Sequence, residues 1–147
     1  MANYAENRKA RFNYEILEKY EAGIELLGTE VKSVRGGQMS LEGAFVIVRG
    51  GEAFLINANV PAYQPKNAPK DYDPLRNRKL LLTKKEMAEL AGSEKNKSLT
   101  IVPISVYNKG RKIKVEIALV KGKKKFDKRE TLKKRDTDRE IRRSLKT

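Results

Sequence analysis

The sequence predicts a mainly β fold, and two observations lead to that prediction. Its apolar residues fall into about five or six short runs that turn residues separate. One run alternates strictly between apolar and polar residues, as a strand with one buried face does. The chain also has a net charge of +14, which indicates a polyanionic partner. By analogy with other small basic domains, we expect a small closed β-barrel of oligonucleotide-binding type, with a few short flanking helices and a basic C-terminal tail.

The N-terminal part of the chain contains an arm and a first predicted strand. Residues 1–10 lack periodicity, and we expect them to form a frayed arm. Residues 24–34 resemble a strand whose apolar anchors are Val31 and Val34. Arg35-Gly36-Gly37 then predicts a turn.

A hairpin and a long loop follow. Two apolar runs, residues 44–48 and 53–56, flank Gly50-Gly51, and this arrangement predicts a β-hairpin. Residues 60–78 contain four prolines, a density that no strand or helix interior tolerates. We therefore expect a loop there.

One helix has clear boundaries in the sequence. After the short buried run Leu80-Leu81-Leu82, Thr83 is placed as an N-cap with Glu86 as its capping-box partner. The predicted helix covers residues 83–91 and ends at Gly92.

The last part of the body predicts two strands joined by a turn. Residues 99–107 have a strand pattern despite Pro103, which indicates an edge position or a bulge. Asn108-Lys109-Gly110 predicts the turn. Residues 112–119 alternate with a period of two, so we expect one face in the core and the other in solvent.

Charge divides the chain into residues 1–120, the predicted nucleic-acid-binding β-barrel domain with its arm, and residues 121–147, the basic tail. The tail contains thirteen Lys or Arg and five Asp or Glu, and its few apolar residues cannot form a core. On a helix, five of its cations would share one ridge that contains no carboxylate. These cations are Lys128, Arg135, Arg139, Arg142 and Lys146. The tail therefore either follows a polyanionic groove or is solvated without specific function.

Several classes of function are disfavoured by residues that the chain lacks. It contains no cysteine and no histidine, which excludes thiol or Ser/His/Asp catalysis and makes a zinc site unusual. Mechanisms that use only carboxylates stay open, so enzymatic activity is disfavoured rather than excluded, and we expect no metal and no cofactor. No apolar run approaches the roughly 18–20 residues of a membrane span, and the first residues do not resemble a secretory signal. We expect no membrane partner and a cytoplasmic location.

The charged and aromatic residues of the body each allow two interpretations. Arg76-Asn77-Arg78-Lys79 is either a phosphate clamp or a solvated loop. Glu21 and Glu30 either contact bases or, as patterning alone favours, form intramolecular ion pairs. Core packing is expected of Tyr14, Tyr20 and Tyr107, whereas Tyr63, Tyr72 and Phe126 are candidates for stacking on bases.

Eight short motifs occur in one order from about residue 7 to the end of the chain. They are Asn7-Arg8-Lys9-Ala10, Glu21-Ala22-Gly23-Ile24, Gly28-Thr29-Glu30-Val31-Lys32-Ser33, Gly51-Glu52-Ala53, Arg78-Lys79-Leu80-Leu81-Leu82, Val102-Pro103-Ile104 with Tyr107, Gly122-Lys123-Lys124 and Asp127-Lys128-Arg129. Together they closely resemble the SmpB family of SsrA-binding proteins, which are partners of transfer-messenger RNA. The chain departs from the family pattern at Phe12, Phe126 and Thr137.

The resemblance implies a non-enzymatic adaptor for ribosome rescue by trans-translation. Such a protein binds the tRNA-like domain of transfer-messenger RNA and delivers it to stalled ribosomes for peptide tagging. The resemblance also implies indirect contact with alanyl-tRNA synthetase and with the elongation factor that carries aminoacyl-tRNA. Its tail would be disordered when free, and helical in the mRNA channel near the small-subunit decoding centre.

Two sets of site residues follow from the motifs and the resemblance. The expected RNA-binding residues are Glu21, Glu30, Lys32, Ser33, Arg78, Lys79, Leu80 and Lys114. The expected residues of the ribosomal tail site are Gly122, Lys123, Lys124, Phe126, Asp127, Lys128, Arg129, Arg135, Arg139, Arg142 and Lys146. Two alternatives remain: a ribosomal or ribosome-associated structural RNA-binding protein, and a metal-dependent nuclease that uses Asp71, Asp73 or Glu30.

Overall fold

The computed structural model describes residues 3–64, 66, 70–96 and 98–122. Seven strands and three short helices lie in these ranges. The elements, in chain order, are β1 (Asn3–Glu6), α1 (Arg8–Asn13), β2 (Tyr14–Ile24), α2 (Gly28–Arg35), β3 (Phe45–Arg49), β4 (Glu52–Ile56), β5 (Arg78–Leu81), α3 (Lys84–Glu94), β6 (Leu99–Lys109) and β7 (Lys112–Gly122). The mainly β prediction is therefore confirmed.

The strands form one antiparallel sheet that returns to its starting point. Their order is β1-β6-β3-β4-β5-β2-β7, and β7 also pairs with β6. Six strands thus form a hydrogen-bonded ring, and β1 is added to the outside edge of β6. The long strands β2, β6 and β7 carry most of the pairing, with β7 between the other two.

The ring encloses the main core, and a smaller apolar cluster lies on its other side. The main core includes Val46, Leu55 and Ile117, all nearly inaccessible to solvent. The smaller cluster joins Ala10 of α1 to Ala118 and its neighbours on β6 and β7. The prediction that β7 has one solvent-facing side is therefore wrong at its C-terminal end, where α1 lies near the outer surface.

The predicted strand over residues 24–34 is wrong, because most of this segment forms α2. The Glu30 side chain accepts a hydrogen bond from the Leu27 N–H at 2.8 Å, and the Val31 N–H donates to the Leu27 carbonyl at 3.0 Å. These bonds satisfy donors at the helix start that a strand would need to pair with a neighbour. The strand in this region is β2, which was not predicted and which ends at Ile24, the residue where the predicted strand begins.

The hairpin and the capped helix are confirmed. β3 pairs with β4 across Gly50 and Gly51, whose φ angles of 58° and 77° suit a tight hairpin turn. Thr83 caps α3 by accepting from the Glu86 N–H at 3.2 Å. The helix continues through Gly92 to Glu94, so the predicted stop is wrong.

The N-terminal segment is not a frayed arm, because it is attached to an irregularity in β6. The pairing of β6 with β7 shifts register between Pro103 and Ser105, which confirms the predicted bulge. The Asn7 side-chain amide donates to the Pro103 carbonyl at 3.1 Å, and the Asn7 N–H donates to the Ile104 carbonyl at 2.8 Å. These bonds satisfy carbonyls at the bulge and fix the start of α1. Over the described ranges, no helix has the length and apolarity to cross a membrane.

Candidate nucleic-acid interface

One polar surface lies on the outer face of the ring, where β2, β7 and β6 are adjacent. Gly23, Lys114 and Tyr107 are register partners across the three strands, and the next row contains Glu21 and Glu116. Since side chains alternate along a strand, these residues point away from the core that Val115 and its inward-facing neighbours form. The fold thus brings together Glu21 and Lys114, two predicted RNA-binding residues that are far apart in sequence.

The Glu21 carboxylate is held by two donors from β6. Its Oε2 atom accepts from the Tyr107 hydroxyl at 2.5 Å, and its Oε1 atom accepts from Lys109 Nζ at 3.1 Å. The Tyr107 hydrogen bond, followed by the bond to Lys109 and the positive charges of Lys109 and Lys114, holds the pKa of Glu21 below its ordinary value. The carboxylate is therefore ionised and fixed although its side chain is partly exposed.

Tyr107 and Lys109 are functional candidates that sequence reasoning missed. Tyr107 was expected in the core, and its ring is indeed buried, with 7% of the residue exposed. Its hydroxyl nevertheless reaches the outer surface, and burial followed by the bond to Glu21 raises its pKa. The signal in the sequence was the spacing of Tyr107 and Lys109 by two residues, which puts both on one face of a strand.

The Arg-Lys-Leu-Leu-Leu segment contributes alternate residues to the surface and the interior. Leu80 is 1% exposed and belongs to the core, whereas Leu81 is exposed and packs against Gly23. Lys79 is partly exposed and forms an ion pair with Glu52 at 3.1 Å. The Leu80 side chain therefore lies in the interior and cannot contact a ligand directly.

A buried ion-pair network joins α2 to the loop before β5. Glu30 accepts from the guanidinium groups of Arg76 and Arg78, including a 2.9 Å bond from Arg78 Nε. The Tyr72 hydroxyl lies 3.1 Å from Glu30 Oε2. Burial alone would raise the pKa of Glu30, but hydrogen bonds from Arg76, the Leu27 N–H and Arg78 outweigh burial and hold the pKa at about 2.

Arg78 is enclosed completely by this network. It has no exposed surface and also donates to the carbonyl oxygens of Ala58 at 2.9 Å, Pro74 at 3.0 Å and Arg76 at 3.1 Å. Its donors are thus satisfied inside the protein, as a buried charge requires. The intramolecular ion pair is the confirmed interpretation of Glu30.

Residues 76–79 therefore do not present three free cations, as the predicted phosphate clamp requires, and that prediction is wrong. Arg78 is buried, Arg76 is bound to Glu30, and Lys79 is paired with Glu52. Direct RNA contact by Glu30 and Arg78 is likewise excluded by their burial.

The remaining predicted residues of α2 differ in their exposure. Ser33 is buried, and its hydroxyl donates to the Pro61 carbonyl at 2.7 Å, so its expected RNA contact is also excluded. Lys32 lies over the ring of Tyr63, with Nζ 5.9 Å from the ring centroid. Tyr63 is exposed and remains a stacking candidate, whereas Tyr72 contacts the Val60 carbonyl and serves the buried network.

Comparison with known proteins identifies the family. A family model described as SmpB protein matches residues 4–147. This chain belongs to the SmpB family. An SsrA-binding protein of Sulfurihydrogenibium sp. is 54% identical over 142 residues, which are 97% of this chain and 93% of that relative. An SsrA-binding protein of Mesoplasma florum is 53% identical over 140 residues, which are 95% of this chain and 94% of that relative.

A solved structure agrees with the family assignment. It is described as "tmRNA-SmpB: a journey to the center of the bacterial ribosome", and its protein chain is 47% identical in sequence. The similarity covers 82% of this chain and 84% of that chain, with a TM-score of 0.68. The ring of strands described above is therefore the body of an SmpB protein.

Most of the expected tail site falls outside the described residues. Gly122 is the last described residue and ends β7. The other tail candidates lie beyond it, and their roles stay predictions. They are Lys123, Lys124, Phe126, Asp127, Lys128, Arg129, Arg135, Arg139, Arg142 and Lys146.

The nuclease alternative has no metal site in the described part of the body. No group of three or more Asp, Glu, His or Cys that could hold a metal occurs there. Glu30, one of its proposed ligands, already accepts from two guanidinium groups and is inaccessible to a metal.

Proposed function

We propose that this chain binds the tRNA-like domain of transfer-messenger RNA and delivers it to stalled ribosomes, where peptide tagging follows. The observation that carries the proposal is the SmpB match over residues 4–147, with relatives about half identical in sequence along nearly their whole length. These relatives are named for binding SsrA, and the similar solved structure is described as tmRNA-SmpB at the center of the bacterial ribosome.

The outer face of β2, β7 and β6 is our candidate for the surface that binds the tRNA-like domain. The closed ring of strands, in this proposal an oligonucleotide-binding type of barrel, presents Lys114, Lys109 and Glu21 together. Structured RNA is recognised mainly by shape, by its backbone and by unpaired bases. Lys32 and Lys79, which are accessible to solvent, are proposed as further RNA contacts. Glu30, Ser33, Arg78 and Leu80 are buried and would act only through the structure that holds the exposed residues.

Residues 121–147 are proposed to act separately from residues 1–120. The tail has a net charge of +8 and few apolar residues, which suits a channel walled by phosphates. In this proposal the tail is disordered when free and becomes helical in the mRNA channel near the small-subunit decoding centre. Ordering on binding is typical of such compositions.

The remaining expectations follow from this function. We propose that the protein is an adaptor without catalytic activity, metal or cofactor, and that it acts in the cytoplasm, where ribosomes translate. Charging of the RNA by alanyl-tRNA synthetase and its delivery with the elongation factor that carries aminoacyl-tRNA would then involve this protein indirectly.

Truncation separates the two halves of the proposal. Removal of all residues after Val120 should leave the affinity for transfer-messenger RNA nearly unchanged and abolish peptide tagging in a reconstituted translation system. Affinity is measured by filter binding and tagging by gel detection of the tagged peptide. Equal loss of binding and tagging would contradict the division between body and tail.

Charge reversal tests the tail more finely. Lys128→Glu with Arg129→Glu should abolish tagging like the truncation, because a reversed charge repels phosphates. Lys84→Glu with Lys85→Glu, at exposed positions of α3, makes the same change of net charge on the body and should leave tagging largely intact. Normal tagging by the tail variant would refute the tail's role.

Sedimentation tests the alternative of a ribosomal structural protein, which the basic tail also favours. Under the adaptor proposal, the endogenous protein should be substoichiometric on ribosomes and enriched on stalled ones. Stoichiometric presence on all translating ribosomes would support the alternative.

A further inference from the structure

Glu21 is an ionised acid on a surface that must face a polyanion. It belongs to a chain with a net charge of +14, and it lies beside Lys109 and the cross-strand neighbour Lys114. A carboxylate repels phosphates and contributes nothing to non-specific binding of RNA. An ionised carboxylate accepts hydrogen bonds, so a ligand group that binds Glu21 must donate them.

The fold holds this carboxylate in one orientation. Because β7 lies between β2 and β6, the Glu21 and Tyr107 side chains meet above the outer face of β7. The two strands beside β7 are roughly 9–10 Å apart, a span that only long side chains bridge. The Tyr107 ring is buried and therefore cannot follow a moving partner. Lys109 fixes the second oxygen at 3.1 Å.

Each oxygen of the carboxylate retains capacity for one more hydrogen bond. A carboxylate oxygen has two lone-pair positions, and Oε2 uses one for Tyr107 while Oε1 uses one for Lys109. Two acceptor positions, one on each oxygen, are therefore available for a ligand that approaches from solvent. They are suited to a pair of parallel N–H donors.

Among the four bases of RNA, guanine presents such a pair on its Watson–Crick edge, at N1–H and the exocyclic amino group. On the corresponding edges of adenine and cytosine, an amino donor adjoins a ring nitrogen acceptor that a carboxylate would repel. That edge is accessible only in unpaired bases, which proteins commonly read in RNA loops.

We propose that Tyr107 and Lys109 are positioning residues that orient Glu21 to accept two hydrogen bonds from an unpaired guanine of the bound RNA. Lys114, the cross-strand neighbour of Tyr107, then contacts the adjoining phosphate. The inference rests on the proposed function, since it names the feature of transfer-messenger RNA that this surface recognises.

The test combines protein variants with a change of one chemical group in the RNA. Tyr107→Phe keeps the buried ring and removes the hydroxyl, and Glu21→Gln replaces one acceptor by a donor. The matched control is Tyr20→Phe, because the Tyr20 hydroxyl also contacts glutamates, Glu18 at 2.6 Å and Glu89 at 3.2 Å, whereas its ring belongs to the core inside the ring of strands. The RNA is the tRNA-like domain with either guanosine or inosine at its unpaired guanosine positions.

The expected results follow from the loss of single hydrogen bonds. Tyr107→Phe should weaken binding of the guanosine RNA by about threefold to tenfold, Glu21→Gln by about tenfold or more, and Tyr20→Phe less than twofold. Inosine lacks the exocyclic amino group, so it should weaken binding to the native protein about tenfold and to Glu21→Gln much less. The Tyr107→Phe, Glu21→Gln and inosine substitutions should not change the slope of log affinity against log salt concentration. Lys114→Ala should reduce that slope by about 1, because it removes one phosphate contact.

Any of three results would overturn the proposal. The first is an equal loss of affinity on inosine substitution for the native protein and for Glu21→Gln, and the second is native affinity for Tyr107→Phe. A penalty that appears with 2′-deoxy substitution and not with inosine would assign the contact to the ribose and would also overturn it. If instead the native protein did not prefer this RNA over an unrelated structured RNA, the proposed function itself would fail.

Discussion

Replacement of Glu30 by Gln tests how much the buried ion-pair network contributes to the stability of the fold. The substitution preserves the shape of the side chain and removes its charge. Arg78 would keep its bonds to backbone carbonyls but lose the anion that balances its guanidinium, and it has no exposed surface through which water could compensate. Arg76, which is partly exposed, would turn toward solvent.

The expected loss of stability is large, and two arguments agree on its size. Removal of one partner from a buried pair typically costs about 3–5 kcal/mol, because the other charge stays buried without compensation. The pKa of Glu30 lies at about 2 in the folded protein, against an ordinary value of 4.5. That difference corresponds to about 3 kcal/mol of stability contributed by the ionised form.

The sign of the pH dependence follows from the lowered pKa. The stabilisation by Glu30 should be fully present above about pH 5 and should decline as the pH falls through 4.5 toward 2. The Glu30→Gln protein has no group to protonate at this site. Its stability should therefore depend less steeply on pH over that interval than the stability of the native protein.

Urea unfolding followed by circular dichroism measures both effects. Glu42→Gln is the matched control, because Glu42 pairs with Lys9 at 2.6 Å on the exposed surface, where water and salt screen such pairs and they contribute little to stability. At pH 7 we expect the Glu30 variant to lose at least 2 kcal/mol more than this control. A difference below 1 kcal/mol, or an unchanged slope between pH 5 and pH 2, would refute the argument.

Three further predictions concern the stability of the body. Thr83→Ala should lower the free energy of unfolding by about 1 kcal/mol through loss of the N-cap of α3, which urea titration would detect, and Thr83→Ser should restore it. Gly23→Ala should lower the free energy of unfolding by about 1 kcal/mol, because the new Cβ would lie 3.2 Å from the Cβ of Leu81 and β2 would have to move away from β5. An unchanged melting temperature would contradict this prediction. Lys9→Met should leave the free energy of unfolding nearly unchanged, and any small effect should vanish in about 1 M salt, because the pair with Glu42 is exposed.

The elements that the sequence predicted well are those whose signals are local. The alternation of residues 112–119 fixes β7, Gly50-Gly51 fixes the hairpin, and the Thr83–Glu86 capping box starts α3. Each signal depends on neighbours within a few residues, and no distant contact overrides it. The mainly β class and the capped helix could therefore be predicted from the sequence alone.

The errors occurred where distant residues decide the structure. Val31 and Val34 favour a strand locally, but Glu30 lies at the start of α2 because Arg76 and Arg78 neutralise it there. Similarly, the acidic and basic residues of β2 obscured a strand that its pairing with β7 and β5 defines. Propensity is a weak prior that tertiary contacts can reverse.

The residues of the candidate site also fall into two groups, those that the sequence indicated and those that only distant contacts reveal. The resemblance to the SmpB family pointed to Glu21 and Lys114, and the charge of the sequence indicated a polyanionic partner. It could not indicate that Tyr107 and Lys109 hold Glu21, because that contact joins strands separated by more than eighty residues. Burial of Arg78 and Leu80, which removes them from direct contact with a ligand, was equally inaccessible to pattern analysis.

The sequence by itself determined the family, the β-rich class and the concentration of positive charge at the C-terminal end, because composition and local motifs suffice for these properties. Only the tertiary structure decided which charged residues face solvent and which neutralise one another inside. That outcome depends on the closure of the sheet, which places β7 between β2 and β6 and brings α2 against the loop before β5.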